Sequence, residues 1–322
     1  MHYLLPLKAA PGDDLGELGH YVRELAQHCP VIVVDGSDPE TFARNGGLFG
    51  PTVTHVRPAF DCANGKVSGV LTGFTLCTSG KVVIADDDVR YTRDDLDQLE
   101  RLLDDADLVI PQNYYDPMPW PAWWDTARVL INRALPSGDF PGTLGLRLSD
   151  RLRSLGYNGD VLFENLELIR TVAADGGRTV IARGVYVRRL PPTARHFATQ
   201  RIRQAYDSQA QPVRLAVELS LLPLVLVGRR KPAIWLAMIV GSTALARIGS
   251  RRAGAAARFP AAAALLAPVW VAERAVCAWA ALAQRMRGGI TYSGRRIKLA
   301  ATSVQALRRQ RERTCGCRRK TA

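Results

Sequence analysis

The chain has 322 residues, 47% of them apolar and 23% charged, proportions that exclude a disordered, fibrous or collagen-like protein. Its net charge of +13 conceals an asymmetry: residues 1–190 hold 26 acids and 19 bases, residues 191–322 hold 4 acids and 24 bases. An acidic half is joined to a basic half, a pattern that points the basic half at an anionic partner.

HYLLPLK opens the chain as a short apolar strand, and Leu15, Leu18, Val22 and Leu25 follow at helical spacing. Val31–Val34 are four branched apolar residues with no polar face, as in a strand buried on both sides. Strand, helix and apolar strand make a βαβ unit, and such units build mostly parallel sheets whose ligands sit beyond the carboxyl ends of the strands. Asp35 lies at such an end. KVVIADDDVRY is a further apolar strand running into Asp86, Asp87 and Asp88; a helix capped by Thr92 and the strand DLVIPQ follow. Three adjoining carboxylates repel one another, and a hard divalent cation relieves that cost. In an extended segment Asp86 and Asp88 project to one side; the competing reading is a solvated acidic turn. The aromatic cluster Tyr114, Tyr115, Trp120, Trp123 and Trp124 is expected in the loop after DLVIPQ, where it would stack on sugars, meet lipid headgroups or simply pack.

From Pro212 the sequence alternates apolar blocks with cations: VRLAVELSLLPLVLVG, then Arg229, Arg230 and Lys231, then AIWLAMIVGSTALA, then Arg247, Arg251, Arg252 and Arg258. A third block carries Glu273 and Arg274 and leads into a basic tail. Apolar blocks with cationic flanks describe a membrane-associated region. The first two blocks fall short of the ~20 residues of a span, so short spans, a re-entrant hairpin, interfacial helices and a soluble bundle stay open. Without an aromatic reading surface among the cations, specific nucleic-acid binding is not expected. The N-terminus lacks a secretory pattern, so the first half is expected to stay in the cytoplasm. The six cysteines lack metal-ligand spacing, and Cys315 and Cys317 fall in a tail expected to lack order.

Several elements in this order resemble the family 2 glycosyltransferases of the GT-A fold: LLPLK, VIVVDGSD, ANGK (residues 63–66), VVIADDDV as an Asp-x-Asp element, GTLGLRLSDRLRSLG, GDVLFENLELIR as a Glu-Asp element, and Gln200-Arg201-Ile202-Arg203 as a Gln-x-x-Arg element. The later GGITYSGRRIK is similar to a segment of lipid-directed members such as ceramide glucosyltransferases. The resemblance implies a mostly parallel, mixed α/β sheet in a catalytic domain over residues 1–210, membrane-associated helices over 211–284 and a basic cytoplasmic tail over 285–322. It implies an inverting, metal-dependent transfer of a sugar from a UDP- or GDP-sugar to a lipid or amphiphilic hydroxyl at the cytoplasmic face of the cell membrane. Asp86 and Asp88 would hold Mg²⁺ or Mn²⁺, Asp35 and Asp38 would receive the nucleoside, Lys66 would lie near the nucleotide, and Gln200 and Arg203 would meet diphosphate and acceptor.

Two positions depart from the pattern. The acceptor needs a general base, and where the family has Asp this chain has Asn165, which leaves Glu164 or, failing that, Glu167. Gln204 stands where lipid-directed members have Trp. Asn165 therefore keeps a second reading alive, a catalytically inactive membrane adaptor that binds a nucleotide-sugar or anionic lipid. A nucleotidyltransferase would want a basic Gly-rich loop after the first strand, and KAAPGDDLGELG is acidic.

Overall fold

The computed structural model describes residues 1–136, 142–292 and 294–319. In chain order the elements are β1 (His2–Leu7), α1 (Gly16–Leu25), β2 (Val31–Asp35), α2 (Pro39–Phe49), β3 (Thr54–Val56), α3 (Gly65–Leu76), β4 (Lys81–Ala85), β5 (Val89–Arg90), α4 (Arg93–Asp105) and β6 (Leu108–Tyr115). There follow α5 (Trp120–Ala134), β7 (Thr143–Arg147), α6 (Asp150–Leu155), α7 (Glu164–Ala174), β8 (Thr179–Arg189) and α8 (Ala194–Ala205). The basic half supplies α9 (Pro212–Val227), α10 (Pro232–Arg251), α11 (Ala267–Met286), β9 (Ile290–Tyr292), β10 (Arg295–Ile297) and α12 (Val304–Arg319).

Eight strands form one mixed sheet in the order β3-β2-β1-β4-β7-β6-β8-β5. β3, β2, β1 and β4 run parallel, β7 is antiparallel to β4 and β6, and β8 runs parallel to β6. The expected α/β architecture is the observed one. Apolar side chains alternate to two cores: Leu5, Val33 and Val83 pack with Leu18, Val22, Leu99 and Leu103 on one face, and Leu4, Ile32 and Ile84 with Val70, Phe74 and Leu168 on the other. Thr92 caps α4 reciprocally with Asp95, as the sequence pattern suggested.

Some expectations change. Tyr114 and Tyr115 end β6 and the three tryptophans belong to the first turns of α5, because Pro119 and Pro121 suit a helix N-terminus rather than a long loop. α10 and the segment before α11 close over α5 around Leu130, Ala246, Ala264 and Trp270, forming a core of their own. The basic tail packs against the first half of the chain: Leu299 and Ala300 receive backbone bonds from Leu162 and Phe163, at 3.0 Å each, and α12 follows.

Gly249 is what lets α10 dock, since a Cβ there would overlap the Leu130 carbonyl of α5. Gly249→Val should cost about 1–3 kcal/mol through overpacking. Thermal unfolding reads this, and an unchanged midpoint would contradict the docked α10.

Candidate active site

The carboxyl ends of β1 and β4 open into a cavity of about 810 Å³, walled on its far side by α7, α8 and α11. Placement beyond strand ends is what a parallel sheet dictates. β4 stops at Ala85, and the next three residues turn rather than extend, Val89 N–H donating to the Asp86 carbonyl at 3.1 Å. The turn still brings Asp86 and Asp88 to one guanidinium: Arg189 donates to Asp88 Oδ2 at 2.9 Å and to Asp86 Oδ2 at 3.5 Å. Gly142 is required beside them, because a Cβ there would strike the Asp86 carboxylate.

Lys66 completes the compensation. Asn64 caps α3, its Oδ1 accepting from Lys66 N–H at 3.1 Å. The Lys66 ammonium lies between two carboxylates, bonded to Asp86 Oδ1 and, at 2.8 Å, to Glu164 Oε1. Asn64 Nδ2 donates to the other Glu164 oxygen at 3.3 Å. Burial alone would raise the Glu164 pKa, but the Lys66 charge and its hydrogen bond, with Arg203 beyond, outweigh it and hold the carboxyl below its ordinary value. Glu164 is therefore ionised and faces the cavity at the first turn of α7. Asp88 goes the other way, raised by desolvation at the cavity floor against the opposing Arg189 charge.

Gln200 and Arg203 sit one turn apart on α8, whose start is capped by Thr193. Both line the cavity; Gln200 Oε1 accepts from Arg203 at 3.0 Å, and the guanidinium lies 4.3 Å from the Tyr292 ring centroid. Arg201, between them, forks onto the buried Asp125 at 2.8 and 3.3 Å. Asn165 also lines the cavity.

Three expected residues lie elsewhere. The Asp35 carboxylate is fully buried and does not line the cavity; it accepts from Ser37 N–H at 2.9 Å, Ser37 Oγ at 2.5 Å, Asn45 Nδ2 at 2.9 Å and His55 Nε2 at 3.2 Å. Its neighbour Gly36 forms the wall instead. Asp38 is the N-cap of α2, occupied by Glu40 and Thr41 N–H groups. Glu167, one turn beyond Glu164, is fully buried away from the cavity, and its Oε2 accepts from Thr302 N–H at 2.6 Å. The cavity is therefore lined by Glu164 and not by Glu167. Arg189 was missed by sequence reasoning, since it enters through the antiparallel register of Val89 on Arg189, which no local pattern announces.

No protein-family model matches this chain, and no curated protein matches it in sequence. Solved structures do match. A mannosyltransferase, PcManGT from Pyrobaculum calidifontis, in complex with GDP-Man and Mn²⁺, superposes with a TM-score of 0.51 at 19% identity, over 88% of this chain and 86% of that one. The fold is that of the GT-A glycosyltransferases. Other GT-A matches are more distant: glucosyl-3-phosphoglycerate synthase of M. tuberculosis has a TM-score of 0.37 and 18% identity over 63% of this chain and 77% of that one. Mannosyl-3-phosphoglycerate synthase of Rubrobacter xylanophilus has 0.39 and 16%, over 62% and 69%.

Asp35 yields a pH test. Burial opposes its charge, yet the bonds from His55, Ser37 and Asn45 prevail and draw its pKa from 3.8 to about 2. A depressed carboxyl stabilises the fold above its unfolded pKa, so about 2 kcal/mol should be present at neutral pH and disappear as pH falls from about 4 through 2. In urea unfolding, the stability gap between wild type and Asp35→Asn should narrow over that range; a constant gap would show that Asp35 carries no linked protonation.

Proposed function

We propose that the chain is an inverting glycosyltransferase that moves a sugar from a nucleoside-diphosphate donor to the hydroxyl of a lipid or amphiphilic acceptor at the cytoplasmic face of a membrane. The observation that carries this reading is the Lys66 bridge, which puts an Asp-x-Asp carboxylate and an ionised glutamate on one ammonium inside a cavity large enough for a nucleotide-sugar.

The site suits a divalent metal. Asp88 Oδ1 is buried without a hydrogen-bond partner. Among the described residues no three His, Cys, Asp or Glu side chains gather as a complete metal cage, the situation in which Mg²⁺ or Mn²⁺ takes one or two carboxylates and fills its shell with phosphate oxygens. Asp86 and Asp88 would hold the ion, which supplies Lewis-acid neutralisation of the departing diphosphate.

The chain's own groups do the rest. Lys66 and Arg189 present positive charge on two sides of the carboxylate pair, so both can follow a diphosphate into the cleft. A donor that draws Lys66 away leaves Glu164 with Asn64 alone and makes it the more basic group, suited to take the acceptor proton. Arg203, braced by Gln200 and the Tyr292 ring, offers a guanidinium fork to phosphate on the acceptor side. The nucleoside would rest against Gly36 and the end of β1; Asp35 holds that loop from beneath, and Asp38 keeps α2 in place.

Asn165 favours a second reading, an inactive adaptor that binds donor without turning it over, since an amide takes no proton. One assay separates the two. Membranes bearing the protein are given labelled UDP- and GDP-sugars, Mg²⁺ or Mn²⁺, and total lipid. Transfer should occur, fall by about 10²–10⁴-fold in Glu164→Gln with donor binding retained, and vanish in Asp88→Ala together with its metal dependence. Donor binding without transfer in the wild type would establish the adaptor instead.

A further inference from the structure

We propose that α9, α10 and α11 form a seat in one leaflet of an anionic membrane, holding the chain on the surface without crossing it; this deepens the reading above, in which the acceptor is lipid or amphiphilic. α11 is amphipathic with its polarity inverted. Its outward stripe reads Val269, Ala272, Val276, Trp279, Ala283 and Met286, apolar at every position and exposed, Val276 to 59% and Met286 to 82%. The charged pair in its middle, Glu273 and Arg274, faces the protein. Glu273 accepts from Trp124 and lies 3.6 Å from Arg201, while Arg274, 1% exposed, donates to the Gln204 carbonyl at 2.9 Å. A surface helix in water shows the reverse pattern.

α9 and α10 flank α11 and expose apolar side chains likewise, Val217, Leu236, Ile239 and Val240 among them, while the charged pair of α9, Arg214 and Glu218, turns inward at 2.9 Å. The two candidate spans by length and composition cover 232–257 and 261–286. Packing argues against crossing. The polar face of α11 is docked on α5 and α8, so that helix cannot leave the domain. The 16 residues of α9 reach about 24 Å, short of the ~30 Å hydrocarbon core. A hairpin standing upright would strand its exposed tip, Arg229, Arg230 and Lys231, inside hydrocarbon. Lying flat, the same tip meets anionic headgroups, and charge complementarity names the occupant.

The full-length protein is tested by flotation with vesicles of phosphatidylcholine alone or with about 30% phosphatidylglycerol. Binding should need the anionic lipid and weaken about a hundredfold in R229Q/R230Q/K231Q. Val269→Glu with Val276→Glu should abolish flotation while far-UV circular dichroism and the thermal midpoint stay unchanged. In sealed membranes from producing cells, an impermeant maleimide should reach Arg230→Cys and the catalytic-domain control Glu24→Cys in the same vesicles. Labelling of the two from opposite sides would make α9 and α10 spans and overturn the one-leaflet seat. Failure to float would overturn it too, and a stable lipid-free dimer would then assign this face to a second copy of the chain. Sugar transfer to a water-soluble amphiphile is read in parallel: transfer without flotation removes the seat and leaves the transferase, flotation without transfer the reverse.

Discussion

Carboxylates crowd the cleft, and the site exists because two cations stand between them. Lys66 joins Asp86 to Glu164, and Arg189 joins Asp86 to Asp88. Those five side chains arrive from four places: the start of α3, the turn after β4, the first turn of α7 and the end of β8. Removing either cation would leave like charges facing each other in a recess with little water to screen them, which is why Lys66 and Arg189 both have their pKa values raised despite burial. On the proposed reading, a diphosphate with a divalent ion would take over these partners, its phosphates meeting Lys66 and Arg189 and its ion the carboxylates.

Glu164 is held from behind by the other end of the chain. Leu162 and Phe163 bond to Leu299 and Ala300, Glu167 takes the Thr302 N–H, and Arg170 donates to the Thr302 and Ala210 carbonyls at 2.9 and 2.7 Å. Leu162, Ala205, Tyr206, Ala281, Ile297 and Ala300 share a small core beneath these bonds. Desolvation raises the Glu167 carboxyl, which makes it a poor surface acid and a good internal clamp. The first turn of α7 therefore owes its position to residues more than a hundred places away in sequence.

That distance explains what the sequence disclosed and what it did not. The β1, β2, β4 and β6 strands, the Thr92 cap and the helical spacing of α1 are local patterns, and local patterns survive folding when burial agrees with them. That Lys66, Asp86, Asp88, Glu164, Gln200 and Arg203 line one cavity was legible because a family resemblance fixed their order along the chain. Asp35 was placed at the right strand end but with the wrong outlook, because Asn45 and His55, ten and twenty residues on, converge on it. Choosing between Glu164 and Glu167 required knowing where residues 299–302 return. Arg189 required the register of two strands a hundred residues apart.

Glu273 and Arg274, the two charges carried by the third apolar block, acquire a reason. They face the protein, and Arg274 reaches the cavity wall with its Nε lacking a hydrogen-bond partner. On the proposed reading the acceptor has to present an apolar tail and a reacting hydroxyl at one place, in two media. α11 separates those media across its own width, apolar stripe outside and guanidinium inside, within one helix diameter of about 10 Å. An acceptor lodged beside it would keep its tail in lipid while its head met Arg274 and Arg203, and the inverted polarity of a single helix would then set how far a lipid must rise to reach Glu164.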